Sequence, residues 1–551
     1  MSMPKILKKW WILLALSAPT TVYALPADGE NEDCAGSENA ETDAGGNATW
    51  RADSVVSAVT AAARAAGGNA LQRAGQGLQY GVSVQGSFSK DDTPLWLAAN
   101  RYGLSSIDGT NGFLRLKLTR DARRDAGHRW RIGYGADVAV TENYTSRAVV
   151  HQLYADLEWR LARLTVGAKE QPMELKNQEL SSGSQTFGIN SRPVPQVRVG
   201  LPEYWNITGR GNWAAIKGYI AYGMQTDGRF QRDYVTASDA RYVRKALYHA
   251  KAGYLRLGRE DKFPLTFEGG LEMACQFGGT TYFMPSADGT QLPPAKMPHD
   301  LRAFLDATFG LGSDPGEGQY ANAAGNTVGS WLFRFNYKGK GWSVSAYLDH
   351  FFEDHSQMFF EYGWRDGLYG VELNLPKNRF VSSVVYEYMK TTYQSGALYH
   401  DHTEAIPDQI SGSDKYYQHY FYTGWEHWGM AMGNPLFVSP LYEHNGSLEF
   451  LRSRFKAHHI GLCGDPTDNL HYRVLYTHER NLGNYDLLDP VVRTTDSFLA
   501  EAEYAPRRIG RLRTDGWNVR LALAFDHGDL LGNNFGMQLT VAYRGLLTGK
   551  K

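Results

Sequence analysis

The stretch from Tyr416 to Asn434 gathers side chains able to handle a polyhydroxylated ligand: Tyr416, Tyr417, His419, Tyr420, Tyr422, Trp425, Glu426, His427, Trp428 and Asn434. Aromatic faces take the C–H surface of a sugar ring, while Asn, Glu and His pair with its hydroxyls, because a buried hydroxyl left unpaired is costly. The stretch belongs to a connection, 391–446, much longer than the usual link of about 4–6 residues, so it does more than join two elements. Trp364, Arg365 and Asp366 form a second, smaller patch. The competing role for each aromatic is packing, with the loop closing a barrel mouth as a lid.

His350, Glu353, Asp354 and His355 suggest a metal site or an acid–base pair. Their spacing fits no zinc motif, and carboxylates beside histidines at the base of a loop commonly hydrogen-bond the loop itself. A calcium contact stays open. Cys34, Cys275 and Cys463 lie far apart; their odd number leaves at least one unpaired, and a Cys275–Cys463 disulfide is left open.

Elements that could position these groups follow from the patterning. The 551 residues are 42% hydrophobic, which excludes a disordered chain, and 57 Lys+Arg against 58 Asp+Glu give no basic excess for nucleic acid. Lys5, Lys8 and Lys9 precede the apolar run Trp10–Leu16, and Val22, Tyr23 and Ala24 supply the spacing that signal peptidase reads. Residues 1–24 are therefore expected to be a signal peptide. Residues 25–52 carry Asp28, Glu30, Glu32, Asp33, Glu38, Glu41 and Asp43 among small residues and read as a disordered acidic leader. The Ala-rich segment 53–66 reads as a short helix ending at Gly67 and Gly68, within a region, 53–77, that could plug a barrel.

From residue 78 onward apolar and polar residues alternate, which a strand between two environments requires. Leu153, Ala155, Leu157, Trp159 and Leu161 oppose Gln152, Asp156, Glu158 and Arg160; Trp517, Val519, Leu521, Leu523 and Phe525 are expected beside Phe535, Met537, Leu539, Val541 and Tyr543. Strand starts fall near residues 78, 112, 130, 152, 163, 194, 213, 248, 265, 331, 342, 367, 380, 447, 469, 495, 517 and 534. Eighteen strands with alternating tight and long connections predict an all-β, closed antiparallel outer-membrane barrel over 78–551, both termini at the tight-turn end. Arg131, Asp137, Glu158, Arg160, Glu268, Glu272, Arg334, Glu372 and Arg520 are expected to face the lumen, since charge on the lipid face costs about 2–4 kcal/mol at mid-membrane. Trp130, Trp159, Trp331, Trp342 and Trp517 suit interfacial girdles. Tyr543 is followed by eight residues, where outer-membrane strands often end on a terminal aromatic.

Four segments carry a resemblance: TPLWLAANRYG at Thr93–Gly103, NSRPVPQVRVG at Asn190–Gly200, DHFFEDHSQMF at Asp349–Phe359 and YTGWEHWGMAMGNPLF at Tyr422–Phe437. Together with the strand pattern they resemble the capsule assembly Wzi family. The resemblance implies an outer-membrane lectin that holds capsular or exopolysaccharide at the surface of a Gram-negative cell, with its periplasmic mouth occluded by helices. It implies no cofactor and no enzymatic step. Polysaccharide, membrane lipid and the capsule export machinery are the partners it suggests. The expected binding residues are Tyr416, Tyr417, Tyr420, Tyr422, Trp425, His427, Trp428, Asn434, Trp364 and Arg365. Two other readings stand beside it: a porin-like channel for small polar solutes or saccharides, and a hydrolase using Glu353, Asp354 and His355.

Overall fold

The computed structural model describes residues 75–312, 324–353, 365–399, 410–413, 415–485 and 488–547. The expected signal peptide, acidic leader and 53–66 helix lie outside the described residues, as do Cys34, Asp354, His355 and Trp364.

Eighteen antiparallel strands form one sheet. They are β1 (Gln79–Ser89), β2 (Thr110–Arg120), β3 (Trp130–Glu142), β4 (Ala148–Trp159), β5 (Ala162–Ala168) and β6 (Gln196–Asn206). Next come β7 (Ala214–Met224), β8 (Leu247–Leu257), β9 (Leu265–Phe277), β10 (Asn326–Lys338), β11 (Ser343–Glu353) and β12 (Gly367–Asn374). The last six are β13 (Ser383–Lys390), β14 (Phe455–Thr467), β15 (Leu470–Gly483), β16 (Leu488–Tyr504), β17 (Trp517–Gly528) and β18 (Asn534–Leu546). Each strand pairs with its neighbour in sequence, and β1 pairs with β18 from Gln79↔Leu546 to Ser89↔Gly536. That last ladder closes the sheet, leaving no edge with unpaired N–H and C=O groups, as a hydrocarbon environment demands.

Most expected strand starts match within a few residues; the 331 and 495 starts come earlier, at Asn326 and Leu488. The start near 447 is corrected to Phe455. Leu448 and Phe450 look like alternating strand residues but are buried within the connection before β14, and Ser453 O accepts from Thr391 Oγ1 (2.7 Å) and Gln394 Nε2 (2.6 Å).

Period two sorts the barrel wall as expected. On β17, Leu521, Leu523 and Phe525 are exposed on the outside while Ala522, Ala524 and Asp526 are buried inside. The register sets Trp517 beside Tyr543, Leu521 beside Leu539 and Phe525 beside Phe535. Inward charges are paired: Arg131 with Glu158 (2.8 Å), Arg334 with Glu372 (2.8 Å), Arg256 with Glu268 (2.8 Å) and Arg520 with Glu503 (2.7 Å). Arg160 is a correction to the lumen set: it sits exposed in the β4–β5 turn, over the Trp159 ring at 5.0 Å. Trp130 faces Trp159 across β3 and β4, and Trp517 lies 5.2 Å from Tyr543, so an aromatic girdle marks the short-turn end.

Connections at one end run from two residues to the twelve of 505–516, most of them under ten; both chain ends of the barrel, at Gln79 and Leu546, lie there. The other end carries the long ones, at 90–109, 169–195, 225–246, 278–325, 354–366 and 391–454. Strict alternation is corrected here, because 143–147, 484–487 and 529–533 at that end are also short. At β15 and β16 the strands themselves run on, to 14 and 17 residues.

Two long connections turn inward. The strap, 169–195, leaves the wall at β5 and crosses the lumen to bond the four neighbouring strands β11–β14. Lys176 Nζ meets Asp349 Oδ2 at 2.8 Å, Ser181 Oγ and Ser182 N–H donate to Glu387 (2.6 and 2.8 Å), Asn177 Nδ2 donates to Glu372 (3.0 Å), and His459 Nε2 contacts Leu180 O at 2.8 Å. Gly461 on β14 faces Leu180 O so closely that no Cβ would fit. The one-turn helix α1 (Leu95–Ala98) enters from the first long connection. Leu95 N–H donates to Asp526 (3.0 Å) and Trp96 Nε1 to Thr477 Oγ1 (3.2 Å). Over both lies the plug, 415–454.

Candidate functional site

The plug splits the expected binding residues into two groups. Tyr416, Tyr417, Tyr422, Trp425, His427 and Asn434 are buried, each at 0 or 1% exposure. Burial leaves them little surface for direct sugar contact, although His427 lines the same cavity as Trp428 and Trp425 lines a second cavity of about 300 Å³ beside the strap. Trp425 Nε1 donates to Thr186 O of the strap (3.0 Å), and Tyr417 OH donates to Gln185 O. Tyr417 stacks on Phe437 at 3.9 Å, and Phe351 meets both Tyr416 and Tyr417 edge-on. Asn434 Nδ2 donates to Gly183 O (2.9 Å) and its Oδ1 accepts from Leu436 N–H (3.0 Å). These groups lock plug to strap.

Trp428, only partly buried, has another role. Short strands Glu426–His427 and Met430–Ala431 form a hairpin whose two turn residues are Trp428 (φ 59°) and Gly429 (φ 77°). Such a turn needs positive φ at both positions, which suits Asn-Gly and strains a Trp by about 1 kcal/mol or more. Two carboxyl groups hold the turn: Trp428 N–H donates to Asp227 (2.9 Å) and Gly429 N–H to Glu426 (2.7 Å). The Arg192 guanidinium carbon sits 4.3 Å from the Trp428 ring centre, and Phe230 stacks on it at 5.6 Å.

Trp428 lines a cavity of about 220 Å³ at the long-loop end, with Tyr144, Arg192, Phe230, Tyr234 and Asp108 on its wall. Phe230 and Tyr234 come from α2 (Gly228–Tyr234), where four-residue spacing puts them on one face, 5.5 Å apart. The cavity is smaller than the roughly 300–1,000 Å³ of drug-sized sites. Aromatic walls with a cation, a carboxyl and hydroxyls are what a saccharide ring needs.

Charge in the site is set by burial. Arg192 is lowered to about 10, because desolvation outweighs its attraction to Asp227 and Tyr144; it still carries its charge at neutral pH. Burial first, then Asp227, pushes the Glu426 carboxyl well above the usual range. His427 is lowered by burial. Its Nε2 accepts from Thr226 N–H (3.2 Å) while Nδ1 faces Arg192 O (2.9 Å), which fixes the neutral Nδ1–H tautomer. The Asp108 carboxyl on the rim is raised by burial and by Asp92.

Tyr420 is 63% exposed and stands apart from the cavity, beside Phe283 at 6.1 Å. Arg365 is exposed and lies over Tyr393 at 4.4 Å. Asp366 is buried and accepts from Tyr393 N–H (3.0 Å) and Gln394 N–H (2.6 Å). Glu353 accepts from Tyr417 N–H (2.8 Å) and His350 Nδ1 faces Asp366 O (3.0 Å), so this part of the candidate acid–base group anchors loops. Cys275 and Cys463 are buried thiols on β9 and β14 and do not bridge. Tyr144, Phe230, Tyr234 and Asp227 were missed by sequence reasoning; the i, i+4 aromatic pair in 224–247 was the available signal. Arg192 lies inside the NSRPVPQVRVG segment without having been singled out.

By sequence, the chain matches no family model and no curated protein. By structure it is similar to Wzi, described as an outer-membrane protein involved in group 1 capsule assembly in Escherichia coli and a carbohydrate-binding β-barrel. Identity is 14%, over 89% of this chain and 88% of that one, with a TM-score of 0.50. The chain shares the outer-membrane barrel fold of Wzi. Two Pseudomonas aeruginosa barrels overlap at lower scores. OprD is 9% identical over 86% of this chain and 96% of that one (TM-score 0.43). OccK2 (OpdF), solved in complex with glucuronate, is 9% identical over 86% and 99% (TM-score 0.44).

Proposed function

We propose that this protein is an outer-membrane lectin that binds capsular or exopolysaccharide at the cell surface, with the Trp428 cavity as its sugar site. The observation that carries the reading is the strained Trp428-Gly429 turn, which holds an indole at the cavity wall against Arg192 and Phe230. A residue kept at positive φ against its preference is one whose position matters. The cavity lies at the long-loop end, which in outer-membrane barrels faces outward, while the short turns face the periplasm. The carbohydrate binding described for Wzi supports the same ligand class.

The inward strap, α1 and plug support an anchoring role over a conducting channel, since their hydrogen bonds reach β11, β13, β14, β15 and β17. The site uses no cofactor and performs no chemical step on its ligand; binding is its function. The test is association of the purified full-length protein with capsular polysaccharide extracted from the source cell. Saturable binding lost in Trp428→Ala supports the proposal, and equal binding by both proteins contradicts it.

A further inference from the structure

At the short-turn end of the lumen, the β14–β15 hairpin sets Cys463, Asp465 and His471 on its inner face, and Glu179 of the strap comes down to meet them. One donor atom each from Glu179, Cys463 and His471 lies within 4.8 Å of the others. His471 Nδ1 is 3.1 Å from Asp465 Oδ1, which fixes the ring with Nε2 toward Glu179. Nε2 makes no hydrogen bond, although Glu179 Oε2 is 3.4 Å away. A hydrogen bond would draw these atoms nearer, to about 2.9 Å. Two ligands on a tetrahedral zinc, at about 2.0–2.2 Å from the metal, stand about 3.3–3.6 Å apart.

We propose that Glu179, Cys463 and His471 form a Zn²⁺ site that clips the strap to the barrel wall. Thiolate, imidazole and carboxylate are the donor set of this borderline-soft ion, and a histidine whose other nitrogen is held by a carboxylate is the usual support of a zinc ligand. Asp465 supplies that support and is itself fixed by Ser382 Oγ at 2.9 Å. Water completes the fourth position. The facing cations already have partners: Arg473 pairs with Glu501 (2.8 Å) and donates to Glu179 O (2.8 Å), and Lys377 lies 3.6 Å from Asp465. The contrast is the cluster of Asp137, His151 and Glu170, whose carboxylates are already neutralised by Arg115 at 2.5 and 3.2 Å. Glu179 belongs to the strap and the other two ligands to the wall, so an ion held by all three ties strap to barrel. This inference is independent of sugar binding.

The experiment titrates the purified full-length barrel with Co²⁺ and then displaces it with Zn²⁺. Expected are one equivalent of Co²⁺, a near-ultraviolet thiolate-to-cobalt band, and its loss on adding one equivalent of Zn²⁺. Cys463→Ser abolishes the band. His471→Ala weakens binding more than Asp465→Asn, for which about 10–100-fold is expected. Glu179→Gln changes an exposed side chain, so it keeps the test clear of folding; it weakens Zn²⁺ at least tenfold and removes the slowing of hydrogen exchange that Zn²⁺ produces over 173–190. Absence of a thiolate band in the unaltered protein overturns the site. A band and an affinity unchanged in Glu179→Gln overturn the clip.

Discussion

Trp425 and Trp428 are three residues apart and meet opposite environments. Trp425 points down into the barrel, fully buried, with its indole N–H on the strap; Trp428 sits at the hairpin tip with part of its surface on a cavity. The same aromatic-rich sequence therefore does two things. Its inward half supplies apolar burial worth about 1.5–3 kcal/mol per large side chain, and its outward half presents one indole in a conformation that costs energy. Stability and recognition sit on neighbouring residues but can be broken separately.

The largest effect is expected from Trp425→Ala. Removing a buried indole costs about 3–5 kcal/mol, confined here to plug and strap because the wall has its own ladders. Hydrogen exchange over 415–438 and 176–190 should speed up while the strands stay protected, and single-channel conductance should rise from a closed baseline. Next is Trp428→Ala, which should leave exchange in the plug unchanged and weaken polysaccharide binding at least tenfold, about 1.4 kcal/mol. Trp428→Gly sharpens the contrast: it loses binding equally, yet relieves the positive-φ strain and should leave the hairpin about 1 kcal/mol more stable than Trp428→Ala does. Arg192→Gln should reduce binding severalfold and flatten its dependence on salt if the polysaccharide is acidic, as measured by titrations at two ionic strengths.

The smallest effect is a pH dependence. Burial holds the Glu426 proton over a range where the unfolded chain has lost it, so the folded plug loses stability as pH rises from about 4.3 through the raised value. Glu426→Gln cannot ionise; it should exceed the parent in plug stability at neutral pH and match it near pH 4. His427 works in the opposite sense. Its lowered value means the unfolded chain takes a proton first, so stability falls as pH drops below about 6.5, and Glu426→Gln should keep that slope.

The barrel was legible because its wall divides two environments at every second residue: Leu521, Leu523 and Phe525 could only be outside if Asp526 was inside. What period two could not reveal was the inward fold of the long connections. Leu448 and Phe450 alternate like strand residues although a plug, not lipid, covers them. Aromatic composition singled out the loop that carries both tryptophans, but composition is blind to depth, and Trp425 and Trp428 look equal until the turn between them sets one inward and one outward. Phe230, Tyr234 and Arg192 lie some 200 positions from Trp428 in sequence, and only the folded barrel brings them together.

The measurement that tests the central claim most directly is binding of extracted capsular polysaccharide to the full-length protein and to Trp428→Ala, with hydrogen exchange run on both. The account predicts saturable binding by the first, loss in the second and identical exchange in the plug. Equal binding by the two proteins, or none by the unaltered one, would contradict it.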